Sequence, residues 1–195
     1  MKHLIVAFCF ILGASIVNAQ STVWKLDKSH SSVGFTIDHM VISEVTGSFN
    51  DFVFNVKSDK PDFTDAVFDA TIQVKSIDTK EPKRDDHLRS DDFFDAANYP
   101  TIKFVGKKFS QVSGKQYKVT GDLTMHGVTK TVTLDAKFNG LIKDPYGNTR
   151  AGLKVWGEID RYDYGLKYNA VLEAGGLTIG QTVRLNINAE LIQAK

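Results

Sequence analysis

Cysteine is nearly missing from this sequence. The one thiol, Cys9, lies in an apolar stretch near the start and lacks the small residues just before it that an acylation site would show. Downstream of it there can be no disulfide, no zinc–thiolate site and no cysteine nucleophile. Neither sign of charge is in excess, since 24 Lys and Arg stand against 23 Asp and Glu. That balance argues against an electrostatic grip on nucleic acid or an acidic membrane. No low-complexity tract or linker-like stretch interrupts the chain, and a hydrophobic share of 42% is too high for disorder. One domain with one core is the expectation for 195 residues.

The apolar run Leu4-Ile5-Val6-Ala7-Phe8-Cys9-Phe10-Ile11-Leu12 follows Lys2 and precedes small and polar residues ending Val17-Asn18-Ala19. It is shorter than the ~20 residues a spanning helix needs. The layout is that of a secretory leader, with residues 1–19 as signal peptide and 20–195 as the functional domain. Cleavage removes Lys2 and no acid, so 24 − 1 basic against 23 acidic residues leaves a formal charge of zero. The cleaved protein would keep no stable membrane anchor and would reside in the periplasm or outside the cell.

From Ser32 onward, period-two alternation dominates, which predicts strands with one buried and one solvated face. Val33, Phe35, Ile37 and His39 share a face, as do Phe68, Ala70, Ile72 and Val74. Tyr117, Val119, Leu123 and Met125 form another, and Val132, Leu134, Ala136 and Phe138 a fourth. Leu153, Val155 and Ile159 repeat the pattern, followed by Val183, Leu185, Ile187, Ala189 and Leu191. Turn signals are read at Gly47-Ser48, Asp59-Lys60-Pro61-Asp62, Ser113-Gly114-Lys115, His126-Gly127 and Asp144-Pro145-Tyr146-Gly147-Asn148. Short connections make antiparallel pairing the default. Such a sheet hides its apolar face by stacking on a second sheet or by curling shut, and closure also removes exposed edges.

Residues 78–100 break the alternation. Charges cluster there, and Arg84-Asp85-Asp86-His87-Leu88-Arg89-Ser90-Asp91-Asp92-Phe93-Phe94-Asp95 reads as a loop with a short helix ending before Tyr99-Pro100. An insertion carrying paired aromatics is either a lid over one end of the domain or plain packing.

These segments carry a resemblance. Trp24-Lys25-Leu26-Asp27-Lys28-Ser29-His30-Ser31-Ser32-Val33-Gly34-Phe35, Val45-Thr46-Gly47-Ser48-Phe49 and Ser76-Ile77-Asp78-Thr79 open it. Arg84 to Leu88, Phe93-Phe94 and Tyr99-Pro100-Thr101-Ile102-Lys103-Phe104 continue it. Gly121-Asp122-Leu123-Thr124-Met125-His126-Gly127-Val128-Thr129-Lys130, Arg161-Tyr162-Asp163-Tyr164-Gly165 and Ile179-Gly180-Gln181-Thr182-Val183 complete it. In order and spacing the chain resembles the YceI-like family of secreted, lipocalin-like lipid-binding proteins. The resemblance implies an all-β fold, an elongated antiparallel lipocalin-like barrel with the insertion at about 78–100. It further implies a lumen for a polyisoprenoid, an isoprenoid quinone or a fatty-acid-like chain, bound without catalysis and with no other cofactor.

Alternation alone favours a barrel filled by its own side chains, as small barrels usually are; the resemblance implies the opposite. The candidate lumen residues are Phe35, Ile37, Phe68 and Ile72 from the early strands and Phe93 and Phe94 from the insertion. Ile102, Phe104, Leu123, Met125, Val155 and Ile159 follow from the later strands. Small residues at Ala70, Gly121, Ala136 and Ala189 would leave room beside a load of thirteen phenylalanines. Candidates for a polar head group are His39, Arg84, Asp86, His87 and Arg161, because a guanidinium fork suits a carboxylate or phosphate. The alternative for the arginines is internal pairing of Arg84 with Asp86 and Arg161 with Asp163.

Other chemistries lack their residues. His30, His39, His87 and His126 show no close helical spacing of metal ligands. No Gly-x-Ser-x-Gly elbow occurs, and Gly175-Gly176-Leu177-Thr178-Ile179-Gly180 lacks the Lys-Ser/Thr of a phosphate loop and reads as a flexible hairpin tip. Two classes remain: a lipid carrier, and a structural or interaction module with a filled barrel. A strand edge or the aromatic mouth would support a homodimer.

Overall fold

The structure, a computed structural model, describes residues 21–171 and 177–194. The expected leader and the Gly175-Gly176 tip lie outside the described residues. The strands are β1 (Val23–Leu26), β2 (Ser32–His39), β3 (Ser43–Phe49), β4 (Phe52–Lys57), β5 (Val67–Gln73) and β6 (Ile77–Asp78). After the helix α1 (Pro82–Arg89) come β7 (Thr101–Ser113), β8 (Gln116–Met125), β9 (Val128–Lys143), β10 (Thr149–Asp160) and β11 (Ile179–Gln193).

Hydrogen-bonded neighbours run β1-β4-β5-β7-β8-β9-β10-β11, and β11 returns to β1, so the sheet closes. β11 serves two partners on one edge: Leu191 to Gln193 lie beside β1, and Val183 to Asn188 beside β2. β1 and β2 are therefore one wall strand broken at residues 27–31. Its neighbour is broken in the same way into β3 and β4, and the next into β5 and β6. Each broken strand counted once, the fold is an eight-stranded antiparallel barrel. Alternation gives each strand one apolar face, and the pairing of β1 with β11 buries that face inside a closed wall rather than against a second sheet.

The turns fall where local chemistry allows left-handed backbone. His126 and Gly127 both have positive φ and close the two-residue β8–β9 hairpin. Gly114 turns β7 into β8. The expected turn at Gly47-Ser48 is a correction: both residues lie inside β3, with Gly47 opposite Phe35. The real reversal between β2 and β3 is at Met40 and Val41, with φ of 52° and 66°. No turn-forming residue marks it.

Helix α1 begins at Glu81, whose side chain accepts from the Lys83 N–H, with Pro82 in the first turn. It ends at Ser90, whose N–H and hydroxyl both donate to the His87 carbonyl. β6 pairs with β3 and not with β7. The insertion therefore occupies a place in the upper wall where no ladder forms.

At the lower end, Arg150 joins three segments. Its guanidinium donates to Asp144 at 2.7 Å, Asp27 at 2.8 Å and Glu190 at 2.5 Å. Bonds from Ser29 and then Arg150 hold the Asp27 carboxyl well below its usual range, and the Arg150 bond does the same for Asp144. Depressed carboxylates contribute stability that is full above their unfolded pKa of about 4 and lost as pH falls through the folded values. Arg150→Met should therefore lower the thermal midpoint by a few degrees at neutral pH, and the gap to the parent should shrink below about pH 4. A calorimetric gap that stays constant across that range would contradict the clamp.

Candidate ligand-binding site

The barrel is filled at one end and hollow at the other. Below, Trp24, Phe63, Phe109, Tyr117, Phe138 and Leu191 form a buried cluster around Ala136. The rings of Trp24 and Phe63 lie 4.9 Å apart, Phe63 and Phe138 5.2 Å, and Phe109 stacks on Tyr117 at 4.6 Å. Such contacts close the lower end with apolar surface and add edge or offset stacking. Above this plug a cavity of about 460 Å³ runs from Phe63, Phe109 and Leu191 to His39, Arg84, His87, Arg161 and Tyr168. That volume is within the ~300–1,000 Å³ typical of small-molecule sites.

All twelve residues expected in the lumen line this cavity: Phe35, Ile37, Phe68, Ile72, Phe93, Phe94, Ile102, Phe104, Leu123, Met125, Val155 and Ile159. Alternation places the ten that lie on strands, since one inward position in two on a closed sheet meets the same interior, and the insertion brings in Phe93 and Phe94. The pattern also survives a bulge in β7, where the register with β8 slips between Gly106 and Lys108. Lys107 and Lys108 both point outward there, and Phe109 regains the inner face.

Three strand glycines make the hollow possible. A Cβ on Gly47 would lie 2.3 Å from the Phe35 ring, on Gly106 2.3 Å from Phe68, and on Gly121 2.4 Å from Phe104. Each glycine gives a phenylalanine ring a place against the wall, so the ring does not project across the lumen. Of the small residues expected to leave room beside the aromatics, Ala136 is the one corrected. It is packed in the lower plug, while Gly121 makes room for the Phe104 ring, and Ala70 and Ala189 border the cavity.

The insertion covers the upper opening. Phe94 meets Phe49 of β3 edge-on at 5.9 Å, and Phe93 packs against Tyr168 at 4.9 Å. His87 touches both Phe93 and Tyr168, at 5.0 and 4.8 Å, and bonds Asp92 through Nε2. A buried Asp85 anchors the segment by accepting from the Thr79 N–H at 2.9 Å and its hydroxyl at 2.5 Å.

Of the polar candidates, His39, Arg84, His87 and Arg161 border the cavity and Asp86 does not. Asp86 sits on the outer side of α1, exposed, and pairs with Arg89 at 2.6 Å. The helix turn that aims Arg84, His87 and Leu88 inward carries Asp86 away, because residues two apart point to different sides. Neither internal pairing forms. Arg84 donates to the Thr79 hydroxyl and carbonyl at 2.7 and 2.8 Å, while Arg161 donates to the carbonyls of Gly180, Leu166 and Ile179. Asp163 pairs with Lys130 instead.

The sequence reading missed Phe54 and Val56 of β4 and Tyr168 of the β10–β11 connection, and Leu88 of α1 and Leu166 beside Arg161 also line the cavity. Phe52-Val53-Phe54-Asn55-Val56 carries the signal for β4, blurred by apolar Val53 on the outer face. Tyr168 has no local signal, because a connection without period reaches the mouth only through the fold. Among the histidines, His30 bonds Asp27 at 3.0 Å and His126 bonds the Tyr164 carbonyl at 3.1 Å. Asp27, His30 and Glu190 do lie close together, but Arg150 already occupies both carboxylates.

Comparison with known proteins places these features. The sequence profile described as the YceI-like domain matches residues 24–191. A UPF0312 protein of Staphylococcus aureus is 41% identical over 170 residues, 87% of this chain and 96% of the relative. A Campylobacter jejuni YCEI protein structure is 34% identical, with a TM-score of 0.70 over 87% of this chain and 97% of that one. A polyisoprenoid binding domain from Saccharophagus degradans has the same fold, with a TM-score of 0.65 at 18% identity over 89% and 99% of the two chains.

A plug and a hollow respond differently to truncation. Phe63→Ala should cost about 3–5 kcal/mol, the range for an enclosed aromatic. Phe35→Ala should cost about 1–2 kcal/mol, because part of its ring already faces empty space. Urea denaturation of the two variants measures the difference, and equal losses would mean that the lumen is packed like the plug.

Proposed function

The chain belongs to the YceI-like family, and from that premise we propose that its barrel holds a long apolar molecule, such as a polyisoprenoid, an isoprenoid quinone or a fatty-chain lipid. The protein carries or sequesters this molecule and performs no chemistry on it. It acts in the periplasm or outside the cell, after removal of residues 1–19. The observation that carries the reading is the continuous apolar cavity between the aromatic plug and the insertion. The polyisoprenoid-binding domain of the same fold supports it.

Magnitudes support it too. Some sixteen methylenes buried at ~0.8 kcal/mol each give on the order of 13 kcal/mol before association and ordering costs. Micromolar binding needs about 8 kcal/mol net. Apolar contact with rings such as Phe68, Phe104 and Phe35 is therefore sufficient to retain a chain, and the polar residues at the upper end orient it.

Native mass spectrometry of the protein purified from its own compartment should find a long-chain species, released by organic extraction. Phe104→Asp should abolish retention by placing a carboxylate in the lumen, while circular dichroism shows that the barrel persists. A folded protein that yields nothing on extraction and takes up no fluorescent chain probe would end the carrier reading.

A further inference from the structure

The chain contains five arginines: Arg84, Arg89, Arg150, Arg161 and Arg184. Three of them do not border the cavity, and each has a carboxylate partner. Arg89 meets Asp86 at 2.6 Å, Arg150 meets Asp27, Asp144 and Glu190, and Arg184 meets Asp38 at 2.7 Å and Glu44 at 3.0 Å. The two that do border it, Arg84 and Arg161, have no carboxylate within ion-pair distance among the described residues.

Arg161 is 3% exposed. Its Nε donates to the Gly180 carbonyl at 2.8 Å, one Nη to the Leu166 carbonyl and the other to the Ile179 carbonyl at a long 3.5 Å. These acceptors are neutral, and they engage three of the five N–H groups a guanidinium carries. Burial lowers its pKa, the expected response of a cation removed from water. Arg84 reaches a carboxylate only indirectly: its Nε donates to the Thr79 hydroxyl, which in turn donates to Asp85. The acids that border the cavity are held elsewhere, Asp38 by Arg184 and Asp69 by Asn55.

A buried cation without an anion is costly, and the cost is relieved when an anion arrives with hydrogen-bond acceptors of matching geometry. We infer that the molecule held in the lumen carries an acidic oxygen head, a carboxylate or a phosphate monoester, seated at Arg161 and Arg84. The inference rests on the lipid-binding reading of the cavity and narrows it to anionic amphiphiles. Neutral heads of the alcohol or ester kind leave both guanidiniums without a counter-charge. The tail supplies affinity, and the paired arginines set which end of the ligand lies at the insertion.

The test is displacement of a fluorescent chain probe, below micelle-forming concentrations, by hexadecanoate, hexadecyl phosphate, hexadecanol and methyl hexadecanoate. At least one acidic ligand should bind about tenfold more tightly than the alcohol or ester, the scale that a hydrogen bond to a charged group supplies. Comparing the two acids separates a carboxylate source from a phosphate source. In Arg84→Gln that preference should shrink, and in Arg161→Gln it should largely vanish, the acids losing more affinity than hexadecanol in both. Should Arg161→Gln fail to fold, Arg161→Lys tests the same position with the charge kept. Equal binding of all four ligands by the parent protein would overturn the acidic head and leave the lipid reading standing. Binding of none would overturn both.

Discussion

Phenylalanine rings set against strand glycines decide how much of this barrel is empty. An eight-stranded sheet that closes has an interior just wide enough for its own side chains, and eleven of the thirteen phenylalanines lie among the described residues that build it. Were Phe35, Phe68 and Phe104 to stand straight into the lumen, they would fill it. Gly47, Gly106 and Gly121 accept the rings over bare backbone instead. The same aromatic residues that stabilise the wall thereby leave its axis open.

The two ends of the barrel solve different problems. Trp24, Phe63, Phe109, Tyr117 and Phe138 close the lower end by mutual contact. Arg150 reinforces that end from outside, drawing three carboxylates onto one guanidinium. At the upper end, apolar burial is incomplete by construction. The insertion rests on Phe49 and Tyr168 through Phe94, Phe93 and His87. It is held to the wall by Thr79 and Asp85 rather than by a ladder, so the mouth has fewer interactions to break than the floor.

Polar groups follow the same division. Several charged side chains outside the lumen pair with each other across neighbouring strands, as Lys107 with Asp122 and Lys118 with Asp135. Exposed pairs of this kind contribute little stability each, and they keep the outer face soluble. Arg84 and Arg161 stand apart, because their partners are a hydroxyl and carbonyls at the border of an apolar space. Under the proposed lipid-binding reading, these few donors in a lining that is nearly all hydrocarbon would distinguish one end of a ligand from the other.

The sequence by itself determined the inner and outer faces of the strands, because the side-chain period of two is a local property of extended backbone. Val33-Phe35-Ile37-His39 and Val183-Leu185-Ile187-Ala189-Leu191 could be read without knowing their neighbours, and the helix start at Glu81-Pro82 lies within a segment marked as non-strand. Tertiary structure alone decided that the sheet curls shut with an open axis, since that depends on which glycine meets which ring. It also decided the fate of Gly47, a strand residue where a turn was expected, and of Met40-Val41, a turn with no turn chemistry. The partners of Arg84 and Arg161 were equally out of reach of the sequence. Proximity in the chain suggested Asp86 and Asp163, but helix geometry and the packing of the β10–β11 connection sent those carboxylates to other cations and left the two guanidiniums at the lumen.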